Sequence, residues 1–286
     1  MSSKKLVVYI ASLFLTIQYL AYANASEQIL TSIPSTSDSV GKTSELALRS
    51  VFRVICKSHH TGGTAFLHRS GNIITAAHVV EGCRPRDLVL VGAETRETAV
   101  AKIILDRHHD IALLTPKTKI ETDPIQISPS TRIKVGSQVV AWGYPGGYRG
   151  LAPLLTVGYL SGVDATENPD RSKTAKWIVN AAFNRGNSGG PLVDVESGDV
   201  VGVVSSKLAP MPKNIESALE ALDRGPGASS VHRYTVKDGK TEKQLHEGQI
   251  VAMILEYLQS QTQLVIGSAV MLNDLRGFMK SQGIDP

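Results

Sequence analysis

Apolar positions in this chain fall into short runs separated by glycine, proline and asparagine, and the runs read as strands. VFRVIC, GTAFLH, NIITA, DLVLVG, AVAKIIL, DIALL, QVVAWG, KWIVNAAF, PLVDV and VVGVVSS, between Val51 and Ser206, are five to eight residues long, rich in β-branched side chains and bounded by turn formers. No amphipathic helix of about ten residues separates them, which argues against a parallel α/β sheet and for antiparallel sheet closed as a sandwich or barrel.

The pattern changes after Lys207. Asn214 to Gly225 begins with a capping residue, carries Ile215, Leu219 and Leu222 on one face and ends in Gly-Pro-Gly, so it predicts a short amphipathic helix. Gly248 to Gln261 repeats the helical spacing with Ile250, Val251, Ile254, Leu255 and Leu258, and Met271 to Gln282 predicts a terminal helix. Between them QLVIGSAV is strand-like and can return to a barrel.

The N-terminus has a different texture. Lys4 and Lys5 precede an apolar stretch from Leu6 to Ala23, and Ala23-Asn24-Ala25 supplies a small-x-small cleavage pattern, so residues 1–25 read as a signal peptide cut after Ala25. An uncleaved membrane anchor is the alternative, since the run approaches the length of about 20 residues that spans a bilayer. Residues 26–44 are Ser/Thr-rich without apolar period and read as a flexible leader into a domain covering 45–286.

Composition narrows the classes. With 286 residues, 42% hydrophobic and 20% charged, the chain is globular and can bury one large core or two modest ones. The net charge of +4 is scattered without a basic run, so no nucleic-acid partner is expected. The 2 cysteines, Cys56 and Cys83, both follow the signal. In an oxidising compartment they predict one disulfide closing a loop of about 28 residues, worth roughly 3–4 kcal/mol in the chain-entropy account. Two unpaired buried thiols are the alternative for a cytosolic protein.

Candidate chemistry centres on Phe183-Asn184-Arg185-Gly186-Asn187-Ser188-Gly189-Gly190-Pro191, a serine flanked by glycines that let backbone N–H groups approach a substrate carbonyl. GNSGG also fits the Gly-x-Ser-x-Gly elbow of α/β-hydrolases, but that elbow needs a helix directly after the serine and a histidine after the acid. Here PLVDV, a turn and VVGVVSS predict a β-hairpin, and His232 and His246 lie in polar stretches. Upstream, TAAHVV places His78 after a strand and RHHDIALL places Asp110 at the head of another, giving the order His, Asp, Ser.

In TAAHVV, DIALL and GNSGGPL, in that order, the sequence resembles the chymotrypsin-like serine peptidases, most closely their HtrA/Deg branch, over residues of about 46 to 206. The resemblance implies an all-β dominated chymotrypsin-like fold: a double six-stranded antiparallel β-barrel with an α-helical insertion and a C-terminal helix. The first barrel would span about 45–127, the second about 132–206 plus 263–272, the helical insertion about 207–262 and the terminal helix 271–282. It implies an exported, secreted or periplasmic endopeptidase acting on polypeptides, unfolded proteins among them, with no cofactor. Ser188 is the expected nucleophile, His78 its base, Asp110 the orienting carboxylate, and the N–H groups of Gly186 and Ser188 the oxyanion hole.

The same resemblance makes Ala182 the floor and Val204-Ser205-Ser206 the wall of the pocket for the residue before the scissile bond. With no carboxylate and no histidine there, a small or medium aliphatic residue is expected. Asn187 replaces the aspartate that binds a newly cut N-terminus in digestive members, so no zymogen cut of that kind is expected. HtrA proteins commonly add a PDZ domain of about 90 residues; none is expected here, and the insertion after Lys207 is expected to decorate the barrel or to form a lid or a homo-oligomer contact. A rival reading keeps the triad but closes the cleft, leaving a binding protein. His59-His60 and His108-His109 have poor spacing for zinc, so no metal is expected, and the histidines of RHHD are expected at the rim of the site.

Overall fold

β-branched residues at alternating positions favour extended chain, and short Gly/Asn/Pro turns fold consecutive runs back on one another. A computed structural model describes residues 46–47, 49–59, 61–93, 97–130, 132–167, 173–207, 233–238, 241–261 and 265–286. Among these, β1 (Val51–Cys56), β2 (Thr61–Leu67), β3 (Ile73–Thr75), β4 (Leu88–Gly92), β5 (Thr98–Asp106) and β6 (Ile111–Pro116) close a barrel in the order β1-β2-β3-β6-β5-β4. A second barrel, β10-β11-β14-β9-β8-β7, is built from β7 (Gln138–Gly143), β8 (Leu154–Glu167), β9 (Lys173–Asn180), β10 (Pro191–Asp194), β11 (Val200–Lys207) and β14 (Gly267–Met271). Every pairing within the barrels is antiparallel. The architecture is the chymotrypsin-like double barrel expected from the motifs.

Each barrel has its own core. Phe52, Val54, Leu67, Ile73, Leu88 and Leu114 fill the first, and Val139, Leu160, Trp177, Phe183, Leu192 and Val204 the second. A third cluster joins them: Phe66, Ile74 and Leu113 from one barrel meet Val140, Trp142 and Val203 from the other. This joint is sealed by α3 (Leu272–Ser281), whose Leu272, Leu275, Phe278 and Met279 are buried at helical spacing. Each such side chain, fully buried, is worth about 1.5–3 kcal/mol, so the terminal helix locks the relative placement of the barrels on which an interbarrel site depends. Cys56 and Cys83 are joined as a disulfide with their Cα atoms 6.2 Å apart, tying the end of β1 to the loop after α1 (Ala77–Val80).

The insertion needs correction. The segment is not purely helical: β12 (Arg233–Asp238) and β13 (Thr241–His246) form an antiparallel hairpin, followed by α2 (Glu247–Gln261). Asp238-Gly239 is a hairpin-turn signal, masked in a polar stretch where Tyr234 and Val236 alone mark the period-two alternation. The helix expected over Asn214–Gly225 lies outside the described residues. The terminal helix runs as expected to within a residue of its predicted ends.

Candidate active site

His78 stands on α1, a single turn whose Ala77, Val79 and Val80 are buried while the imidazole faces outward. Asp110 stands at the end of the turn before β6 with φ 59°, the one non-glycine residue of positive φ among the described residues. Aspartate tolerates this conformation better than most residues, and here it is held in place by what its carboxylate receives. Nδ1 of His78 lies 3.0 Å from both carboxylate oxygens, and the backbone N–H of His78 donates to Oδ1 at 3.0 Å. The hydroxyl of Ser205 donates to Oδ2 at 2.5 Å. Burial alone would push the Asp110 carboxyl up, but the hydrogen bonds and charge of His78 together with the Ser205 hydroxyl hold it below the usual carboxylate range.

Ser188 comes from the second barrel on a turn made of glycines. Gly186 has φ 95°, and a Cβ there would lie 2.3 Å from the carbonyl oxygen of Tyr144. Gly189 has φ 86°, and its Cβ would lie 2.1 Å from the carbonyl oxygen of Thr64. Both positions therefore demand glycine on conformational and steric grounds. The turn is tied down by backbone bonds from Thr64 N–H to Ser188 O (2.8 Å) and from Gly189 N–H to Val204 O (2.7 Å). Neither the Gly186 nor the Ser188 N–H donates to an acceptor among the described residues.

His78, Gly186 and Ser188 line one open cleft of about 570 Å³. Its far wall is held by Arg53 of β1, which donates to the carbonyls of Tyr148 (2.9 Å) and Gly150 (3.0 Å) and lies over the Tyr144 ring at 4.8 Å. Ala182 and Ser205, the expected pocket residues, do not line this cleft. Ser205 is buried, with its hydroxyl turned to Asp110 at a bulge between β11 and β14. Phe183, next to Ala182, is buried in the second barrel's core with its ring against Gly267.

Within RHHD, Asp110 turns to His78, while His109 turns away. Nδ1 of His109 lies 2.7 Å from Asp106, and Nε2 lies 3.9 Å from Asp274 on α3. Among the described residues the one set of donors close enough to share a cation is Cys56, His59 and Cys83, and both sulfurs are spent in the disulfide. Three contributors escaped the sequence reading: Thr64, Arg53 and Lys176. Thr64 donates its hydroxyl to Gly186 O (2.6 Å) and accepts from Tyr144 N–H (2.9 Å), bridging the barrels; no local motif announces such a strut.

The strand β10 begins at Pro191, directly after this turn, where an α/β-hydrolase elbow would require a helix. Residues 63–203 match the family described as the trypsin-like peptidase domain. Over these residues the chain is similar to trypsin-like peptidase domains. The chain is 34% identical over 155 residues to the serine protease Do-like HtrB of Bacillus subtilis, a match covering 52% of this chain and 31% of that protein. It is 33% identical over 153 residues to a protein of Hahella chejuensis named as a periplasmic DegP-like serine endoprotease, covering 52% of this chain and 30% of the relative. The chain thus spans about a third of the length of these relatives. Among solved structures, the Rv3671c protease of M. tuberculosis in its inactive form superposes with a TM-score of 0.54 at 20% identity, covering 87% of this chain and 98% of that one. At that identity the likeness speaks for the fold alone.

Proposed function

We propose that the protein is an exported serine endopeptidase, cleaving polypeptides through Ser188, His78 and Asp110. The observation that carries this reading is one cleft holding His78, hydrogen-bonded to a half-buried carboxylate, together with Ser188 and two unengaged backbone N–H groups.

A serine hydroxyl is a poor nucleophile at neutral pH, so Ser188 needs His78 to take its proton during attack on the scissile carbonyl. Asp110, held ionised, fixes the proton on Nδ1, leaves Nε2 free to accept, and stabilises the imidazolium as it forms. The tetrahedral oxyanion is received by the N–H groups of Gly186 and Ser188, each such donor being worth about 3–4 kcal/mol in the transition state. His78 then returns the proton to the leaving amine, and water attacks the acyl-enzyme by the same route in reverse. For the side chain before the scissile bond, the expected floor at Ala182 carries no charge, which favours small or medium aliphatic residues. Lys4, Lys5, the apolar run and Ala23-Asn24-Ala25 support export.

A fluorophosphonate probe tests the reading directly. The purified protein should be labelled at Ser188, Ser188→Ala and His78→Ala should not, and His109→Ala should remain reactive. An intact, folded protein that resists labelling under all conditions would instead favour a protease-shaped binding protein. Cleavage-site profiling on denatured proteins then reads the aliphatic preference.

A further inference from the structure

Lys176 lies on the outer side of β9, where its register partners are Asp164 on β8 and Val270 on β14. The half-buried ammonium does not go to Asp164, directly across the ladder. It reaches over β14 to the Ser205 hydroxyl, with Nζ 3.0 Å from Oγ. The same Oγ lies 2.5 Å from Asp110 Oδ2, and Asp110 in turn holds His78 at 3.0 Å. An ammonium has donors only, and a serine hydroxyl has a single hydrogen. With Lys176 donating to a lone pair of Oγ, that hydrogen is free for one acceptor, and Asp110 is the acceptor in reach.

We propose that Lys176 is a positioning residue of the active site, acting through Ser205 to lock the Asp110 carboxylate onto His78. This rests on the serine-peptidase reading for its catalytic consequence, but its physical content is independent of it. The lysine commits the Ser205 hydroxyl to Asp110 and sets a positive charge one hydroxyl away from the carboxylate, which favours the ionised acid and opposes excess positive charge on His78. The charged groups next to His78 and Asp110 along the chain have other partners. Glu81, just past α1, pairs with Arg107 at 2.6 Å, and His109 faces Asp106 and, across to α3, Asp274. Lys176 is thus the cation joined by a hydrogen-bond chain to the Asp110 side opposite His78.

The test uses Lys176→Met, Lys176→Arg, Ser205→Ala and the Lys176→Met/Ser205→Ala double variant in the mature protein. The maximal rate of labelling by a small fluorophosphonate should fall about three- to tenfold in Lys176→Met, the effect of one hydrogen bond, with probe affinity unchanged. The acid limb of its pH profile should move up by roughly half a unit, because loss of the cation favours imidazolium. Lys176→Arg should recover most of the rate, and the lysine's effect should vanish once Ser205 is alanine. Unchanged labelling in a folded Lys176→Met protein, or an equal loss with and without the Ser205 hydroxyl, overturns the relay. A second readout needs no activity: in Ser188→Ala, the NMR titration midpoint of His78 should rise on adding Lys176→Met. A wild type that resists the probe while this midpoint still moves would sink the peptidase reading and keep the relay. A fixed midpoint alongside normal labelling would do the reverse.

Discussion

The two barrels contribute to the cleft in different currencies. The first supplies side chains: His78 on a one-turn helix and Asp110 on a strained turn, held to each other by three contacts of 3.0 Å. The second supplies the Ser188 hydroxyl and, around it, backbone: a turn whose Gly186 and Gly189 have positive φ and no room for a Cβ, and whose Gly186 and Ser188 N–H groups have no acceptor among the described residues. Side-chain chemistry can be deleted while the fold stays intact. Backbone chemistry cannot, because the residues that shape it also fill the joint between the barrels.

The largest expected effects come from testing that separation directly. Asp110→Asn keeps the shape but presents an amide that favours the wrong His78 tautomer, so labelling of Ser188 should slow by about 10⁴ with little loss of thermal stability. Gly186→Ala should cost about 10²–10³ in labelling through the misdirected N–H, and should also lower the unfolding midpoint because its Cβ would meet Tyr144 O at 2.3 Å. Labelling rates beside urea midpoints for the two proteins check this. If Gly186→Ala is as stable as wild type, or Asp110→Asn unfolds early, the division between the barrels is wrong.

Thr64 blurs the division and gives the next effect in size. It belongs to β2 of the first barrel, yet its buried hydroxyl donates to Gly186 O and accepts from Tyr144 N–H in the second. Thr64→Val preserves volume but strands both backbone groups, at a cost of about 1–3 kcal/mol by urea unfolding, and loosens the peptide that carries the Gly186 N–H. A Thr64→Val protein with unchanged stability and unchanged labelling would show that the glycine turn holds itself.

This asymmetry also explains what could be read from the chain. The alternating runs and their turns predicted antiparallel barrels, and TAAHVV, DIALL and GNSGGPL predicted which residues to compare, because each motif is a local solution to a local demand. QLVIGSAV read as a returning strand because its period is its own, and its GSAV part, within β14, lies between β9 and β11. Ser205 read as a pocket wall because sequence gives a strand's faces but not a bulge that re-aims one side chain. Lys176 and Thr64 were silent for a deeper reason: each acts across two or more strands, at sequence distances of 29 residues to Ser205 and 122 to Gly186, where no short pattern constrains them. The hairpin β12–β13 was missed because its composition is polar and the surrounding helical periods dominated the reading.

The smallest expected effect separates the barrels by acid rather than by substitution alone. In the first barrel His68 is buried at the β2–β3 turn, and its Nδ1 accepts the N–H of Ser70 at 3.2 Å, a bond that requires a neutral ring. Burial, with Arg69 adding to it and Asp285 opposing, pulls its pKa down to about 4. Between about 6.5 and that value the unfolded chain binds a proton that the folded chain refuses, so the His68 contribution to stability is lost as pH falls. Asp199, directly before β11 in the second barrel, behaves oppositely, since burial and the nearby Asp194 push its carboxyl up. Its folded form takes up a proton first on acidification, so its contribution grows as pH falls through its raised folded pKa. Urea midpoints measured from pH 7 down to pH 4 should therefore fall less steeply in His68→Gln than in wild type, and more steeply in Asp199→Asn. Parallel slopes in all three proteins would mean that neither group's burial differs between folded and unfolded chain, and the acid response of the two barrels would then be the same.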